Sequence, residues 1–144
     1  MENFRQKILS KKFLNFAEKP VTDEELAIAG ILQRFISAYN QANIYEISSL
    51  LSNNAEIEGL ATDGFVKKNV YLPLLQNNIN RIRSLTFNNA IIRINNGGAK
   101  AYGLLNMRLV DGRLCEADVF FKLLRKEINW FISQIVVQDP IWLQ

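Results

Sequence analysis

The sequence contains no histidine and one cysteine in 144 residues. Without histidine there is no Ser-His-Asp or Cys-His catalysis, and a zinc site loses its commonest nitrogen ligand. Any proton transfer falls to carboxylates, tyrosine, lysine or water. A single cysteine makes no internal disulfide, so the chain needs no oxidising compartment. Cys115 lies in an apolar run and reads as a reduced core thiol. No apolar run approaches transmembrane length and the N-terminus lacks the apolar core of a signal peptide, so no membrane contact and a cytoplasmic location are expected. Glycine-rich phosphate loops are missing too: Gly97-Gly98 stands between strand-like runs with no helix start to hold an anion. No metal and no cofactor is expected.

Charge of one sign is also scarce. The net charge is +3 with a pI near 9.1, and the basic pairs at 11–12, 67–68 and 125–126 are scattered and interrupted by acids. Nucleic-acid domains concentrate charge on one face, so no nucleic-acid partner is expected. The 49% hydrophobic and 22% charged shares are ordinary globular composition, and the length suits one domain.

In chain order, residues 1–19 read as a helical arm with two narrow apolar stripes, Phe4 with Ile8 and Leu9 with Phe13 and Phe16. Such stripes suit an arm wedged between protein surfaces, or a frayed terminus. Residues 20–144 read as one domain. Thr22 and Glu25 have capping-box spacing, with Val21 and Leu26 at the staple positions. The helix that follows presents Ile28, Ile31, Leu32, Phe35, Ile36 and Tyr39 on one face and runs to about Gln41. Asn43 with Glu46 opens a short second helix that Asn53 and Asn54 would end. Residues 55–60 alternate as a strand, and 67–81 read as a third helix carrying Val70, Leu74 and Ile79, irregular near Pro73. Two long strands, 84–95 and 99–110, precede the hairpin signal Asp111-Gly112 and a final strand pair. The sum is an α+β domain, with a cone-shaped, curved antiparallel sheet wrapped around the long N-terminal helix.

The final pair, RLCEADVFFKLL and WFISQIVVQ, and the opening LQRFISAYNQANIYEISSLLSNNAEIEG resemble the superfamily of ketosteroid isomerases, SnoaL-like polyketide cyclases and nuclear transport factor 2-like proteins. That resemblance implies a cavity at the open end of the cone. In the isomerase branch it further implies a general-base Asp and an oxyanion site made of a Tyr and a protonated Asp. Matching AEIEG puts Gly59 at the base position, and matching LQRF puts Phe35 at the Tyr position. Only the second Asp has a counterpart, Asp118 in ADVF, so steroid isomerisation is not expected.

Asp118 is the candidate catalytic acid if it faces the cavity, where burial would raise its pKa. Strand alternation argues the other way, since Cys115, Ala117, Val119, Phe121 and Leu123 form the cleaner apolar face, although a bulge would reverse the pattern. Phe35, Tyr39, Gly59, Tyr102 and Phe120 are the candidate ligand-contacting positions, Tyr39 and Tyr102 offering hydroxyls. Glu56 and Glu58 alternate to the outer face, and Trp130 reads as a packing residue. Two functions are consistent with this. One is a cavity protein for an apolar or cyclic small molecule, acting as a cofactor-free acid–base isomerase, cyclase or dehydratase. The other is a non-catalytic dimeric ligand-binding or adaptor module. The apolar outer face with Tyr102, Leu104 and Val110 points to a homodimer in either case.

Overall fold

The long helix starts where its cap chemistry puts it. In the computed structural model, which describes residues 13–60, 62 and 64–143, helix α1 spans Asp23–Asn40. Thr22 Oγ1 accepts from the Glu25 N–H at 3.1 Å, and Glu25 Oε1 accepts from the Thr22 N–H at 3.0 Å. These bonds satisfy two of the orphan donors at the helix start, and three carboxylates in the first turn complement its dipole. The box fixes the entry without the staple, because Val21 and Leu26 both stay exposed. At the other end Asn40 clamps the helix to the sheet. Its amide donates to the Leu85 carbonyl and accepts from the Leu85 N–H, each at 2.8 Å.

Helix α2, Ile44–Leu50, is capped by Asn43 Oδ1 as its spacing implied. It stops at Leu50, before Asn53 and Asn54, because Leu51 is already extended and buried as the first residue of strand β2, Leu51–Glu58. A short strand β3, Phe65–Lys67, precedes helix α3, Lys68–Asn78, which passes through Pro73 into a 3-10 turn at Ile79–Arg81. The buried stripe of α3 is Tyr71 and Leu75; Val70 and Leu74 are exposed. The run VYLPLL carries two apolar stripes one residue apart, and packing against β2 selects the second. None of these helices is long and apolar enough to cross a membrane.

The long strands follow: β4 Ile82–Asn95, β5 Gly98–Leu109, β6 Leu114–Lys126 and β7 Asn129–Leu143. They form the antiparallel meander read from the sequence, with Asp111-Gly112 in the β5–β6 turn and Gly112 at φ 96°. The sheet is not purely antiparallel, however. The seven-stranded order is β1-β4-β5-β6-β7-β2-β3, and both the β1–β4 and β2–β7 pairings are parallel. Strand β1, Leu14–Phe16, lies within the segment expected to be a helical arm. Its extended form is held by Asn15, whose side chain donates to Asn88 Oδ1 and accepts from the Asn89 N–H. Residues 1–12 of the expected arm lie outside the described residues.

Bulges bend this open sheet toward α1. Residues 89–90 of β4 face only Gly103 of β5, with Asn89 in the left-handed region at φ 57°. Residues 139–140 of β7 face only Ala117 of β6, with Asp139 at φ 51°. At the first bulge the strands approach so closely that a Cβ on Gly103 would lie 2.3 Å from Phe87 Cε1 and 2.8 Å from the Asn88 carbonyl. Phe87 is fully buried and has nowhere to go. Gly103→Ala should therefore lower stability by about 1–3 kcal/mol, as overpacking does. Urea unfolding of the two proteins checks this.

Candidate functional site

The interior of the cone, where a ligand cavity was expected, is occupied by aromatic rings. Phe35 of α1 lies 5.3 Å from the Tyr39 ring and 5.6 Å, edge on, from Phe121 of β6. Phe121 in turn meets Phe87 of β4 at 5.2 Å. Tyr71 closes the group from α3. Phe35, Phe87 and Tyr71 are 0% exposed, and Tyr39 and Phe121 are 1%. A void large enough for an organic ligand would expose the atoms lining it, so none touches these five rings. Phe35 and Tyr39 are thus brought together as core.

The remaining candidates lie elsewhere. Asp118, Tyr102 and Phe120 share the outer face of the sheet, Tyr102 being 42% exposed with its ring 6.2 Å from Phe120. Strand alternation decides Asp118: Ala117, Val119, Phe121 and Leu123 point inward, and Asp118 is exposed. The bulge that could have reversed the pattern is present, but the extra residue belongs to β7, and β6 pairs with β5 without a break from Leu114 to Leu124. Asp118 therefore stands on the solvent side of the sheet, and the inward, cavity-acid placement is not found. With Tyr102, Leu104 and Phe120 it borders a shallow hollow of about 610 Å³. Gly59 adopts φ 81°, and a Cβ there would stand 2.8 Å from the Val137 carbonyl. Its role is close backbone approach, so it lies outside the interior group. Glu56 is held by Lys67 at 3.1 Å, and Trp130 is buried as a packing residue. Among the described residues no three Cys, Asp or Glu side chains gather as a metal site would need.

Among the described residues one side-chain hydrogen bond is enclosed by the core, and its second member was missed in the sequence. The hydroxyls of Tyr39 and Tyr71 are hydrogen-bonded to each other. The signal for Tyr71 was its spacing of four from Leu75, obscured by the neighbouring Val70 and Leu74 stripe. Burial raises the pKa of both phenols, with the Tyr71 charge adding to the rise at Tyr39 and the Tyr39 hydrogen bond partly offsetting it at Tyr71. Both stay neutral donors at ordinary pH. The pair shares one bond between two O–H groups, so one proton lacks an acceptor among the described residues. Tyr71→Phe strands the Tyr39 hydroxyl and should cost about 1–3 kcal/mol, whereas the Tyr39→Phe/Tyr71→Phe double variant should cost less than the two singles together. A double-mutant cycle in urea reads this. The raised folded pKa values also set a pH dependence. Stability from the neutral phenols is full below the unfolded value of about 10 and falls as pH rises beyond it. The double Phe variant should lose that part of the alkaline decline.

No family model matches the chain, and no curated protein matches it in sequence. Solved structures do match in three dimensions. A nuclear transport factor 2-like protein from Cytophaga hutchinsonii superposes with a TM-score of 0.68 at 11% identity, covering 81% of this chain and 98% of that one. A hexachlorocyclohexane dehydrochlorinase gives 0.65 at 17% identity, over 84% and 89% of the two chains. A Nostoc punctiforme protein of unknown function with a cystatin-like fold gives 0.63 at 16%, over 83% and 93%. A helix held in a curved, unclosed sheet, shared over most of each chain at these identities, is a likeness of fold: this protein has the nuclear transport factor 2-like fold.

Proposed function

We propose that the protein is a non-catalytic homodimeric binding module that works through the outer face of its sheet. The filled interior carries this reading. Chemistry inside the cone needs room for a substrate and convergent polar groups, and five packed rings occupy that room. The outer face has the opposite character. Along the paired strands β5 and β6 it runs Lys100 with Lys122, Tyr102 with Phe120, Leu104 with Asp118, and Asn106 with Glu116. One end is basic, the middle aromatic, and the acids Asp118 and Glu116 follow, with Arg108 beyond them. A second copy turned by half about an axis at the level of Gly103 and Val119, between the Tyr102–Phe120 and Leu104–Asp118 pairs, lays its Lys100 over Glu116 of the first, and the reverse. Two-fold contacts require such self-complementarity. The acid Asp118 then serves recognition between copies.

A second reading keeps an apolar or cyclic small molecule as ligand inside the cone. It is favoured by the Tyr39 and Tyr71 hydroxyls, which would bond a carbonyl or phenol and support acid–base chemistry without a cofactor once the rings part. A stoichiometric organic molecule extracted from the purified protein would select this reading.

The dimer is tested by sedimentation velocity at micromolar concentration, where a monomeric wild-type protein removes the first reading. Lys100→Glu should weaken the dimer by at least about tenfold, since it opposes Glu116 of the other copy. Adding Glu116→Lys in the same chain should restore it.

A further inference from the structure

Beyond the aromatic middle, toward the β6–β7 turn, the same face opens into a groove. From Leu51 to Glu56 strand β2 uses residues 52–55 where its neighbour β7 uses Ser133 alone. Strand β6 slips against β7 at the same level, between Lys122 and Leu123. These offsets leave a groove of about 580 Å³, within the range of roughly 300–1,000 Å³ that small-molecule sites occupy.

The lining has a definite chemistry. Leu124, 44% exposed, and the half-buried Phe131 form an apolar floor. Lys122, Arg125 and Lys126 all line it, with the Arg125 side chain also donating to the Glu127 carbonyl at 3.2 Å. Neither Lys122 nor Lys126 has a carboxylate within ion-pair distance among the described residues. Arg125 reaches Glu24 only at 3.9 Å, an exposed pair that contributes little. The one acid in the lining, Glu56, is held by Lys67. Asn53 and Asn54 also line it as exposed amides.

We propose that this groove is a binding site for a small aromatic carboxylate. The floor needs a flat apolar body, and it is too wide for a simple ion. The cations need one negative charge, and the amides add hydrogen bonds. A phosphate group fits less well, because no helix N-terminus is among the described residues that line the groove. This site is separate from the cone interior; it shares Lys122 with the proposed dimer face, whereas Leu124, Arg125, Lys126 and Phe131 lie beyond that patch.

Titration of isotope-labelled protein with 2-naphthoate, followed by amide NMR shifts, tests the proposal. The expected result is saturable binding in the millimolar range or tighter, with shifts at residues 52–54 and 122–134. The neutral isostere 2-naphthamide should bind at least about tenfold more weakly. Arg125→Gln combined with Lys126→Gln should bring the naphthoate affinity down to that of the amide, leaving the amide's affinity and thermal unfolding unchanged. Four results would overturn the site: equal affinity for acid and amide, shifts mapping elsewhere, no saturable shift, or displacement by equimolar inorganic phosphate, which would mean charge alone is read.

Discussion

The contact on which the structure depends is the insertion of the Phe35 ring between Tyr39 and Phe121. It joins the middle of the longest helix to the middle of the central hairpin. A buried Phe contributes about 1.5–3 kcal/mol by leaving water, and the edge-on geometry with Phe121 adds to it. The sheet must curve for this contact to form. A flat sheet would meet the helix along one line and leave the outer strands unpacked. The bulges opposite Gly103 and Ala117 supply the bend, so the covalent freedom of one glycine and two left-handed residues serves the packing of rings far from them in sequence.

The features readable in the sequence were those with local causes. The Thr22 and Glu25 box, the Asn43 cap and the Asp111-Gly112 turn are each fixed by hydrogen bonds within a few residues. The alternation of β6 was readable because each inward residue meets the same core. What escaped depended on partners distant in sequence. The face of α3 was ambiguous because Val70 with Leu74 and Tyr71 with Leu75 are equally apolar stripes. Strand β1 was read as helix because its support, Asn15 against Asn88 and Asn89, comes from the fourth strand. The parallel pairings have no local signal at all.

The candidate site was the least legible part, and for a physical reason. A fold is specified by which positions are apolar, and many sequences satisfy one pattern, as the 11–17% identities of its structural likenesses illustrate. A cavity is specified by summed volume. Whether the cone is hollow depends on the sizes of Phe35, Tyr39, Tyr71, Phe87 and Phe121 taken together, and no motif encodes a sum. The resemblance drew Asp118 inward, while alternation put it outside, and the uninterrupted β5–β6 ladder decided for alternation.

Strand β1 places the opening of the chain in an unusual temporal position. Its anchoring bonds span 73 and 74 residues of sequence. Loop closure over that length must follow formation of the meander that presents Asn88 and Asn89. The first described strand therefore docks after the strand it joins has formed. Until it does, the outer edge of β4 carries unpaired N–H and C=O groups beside apolar side chains, the form in which sheets recruit foreign strands. Three residues with one asparagine act as a closing latch on that edge, and until it closes the edge is open to mispairing.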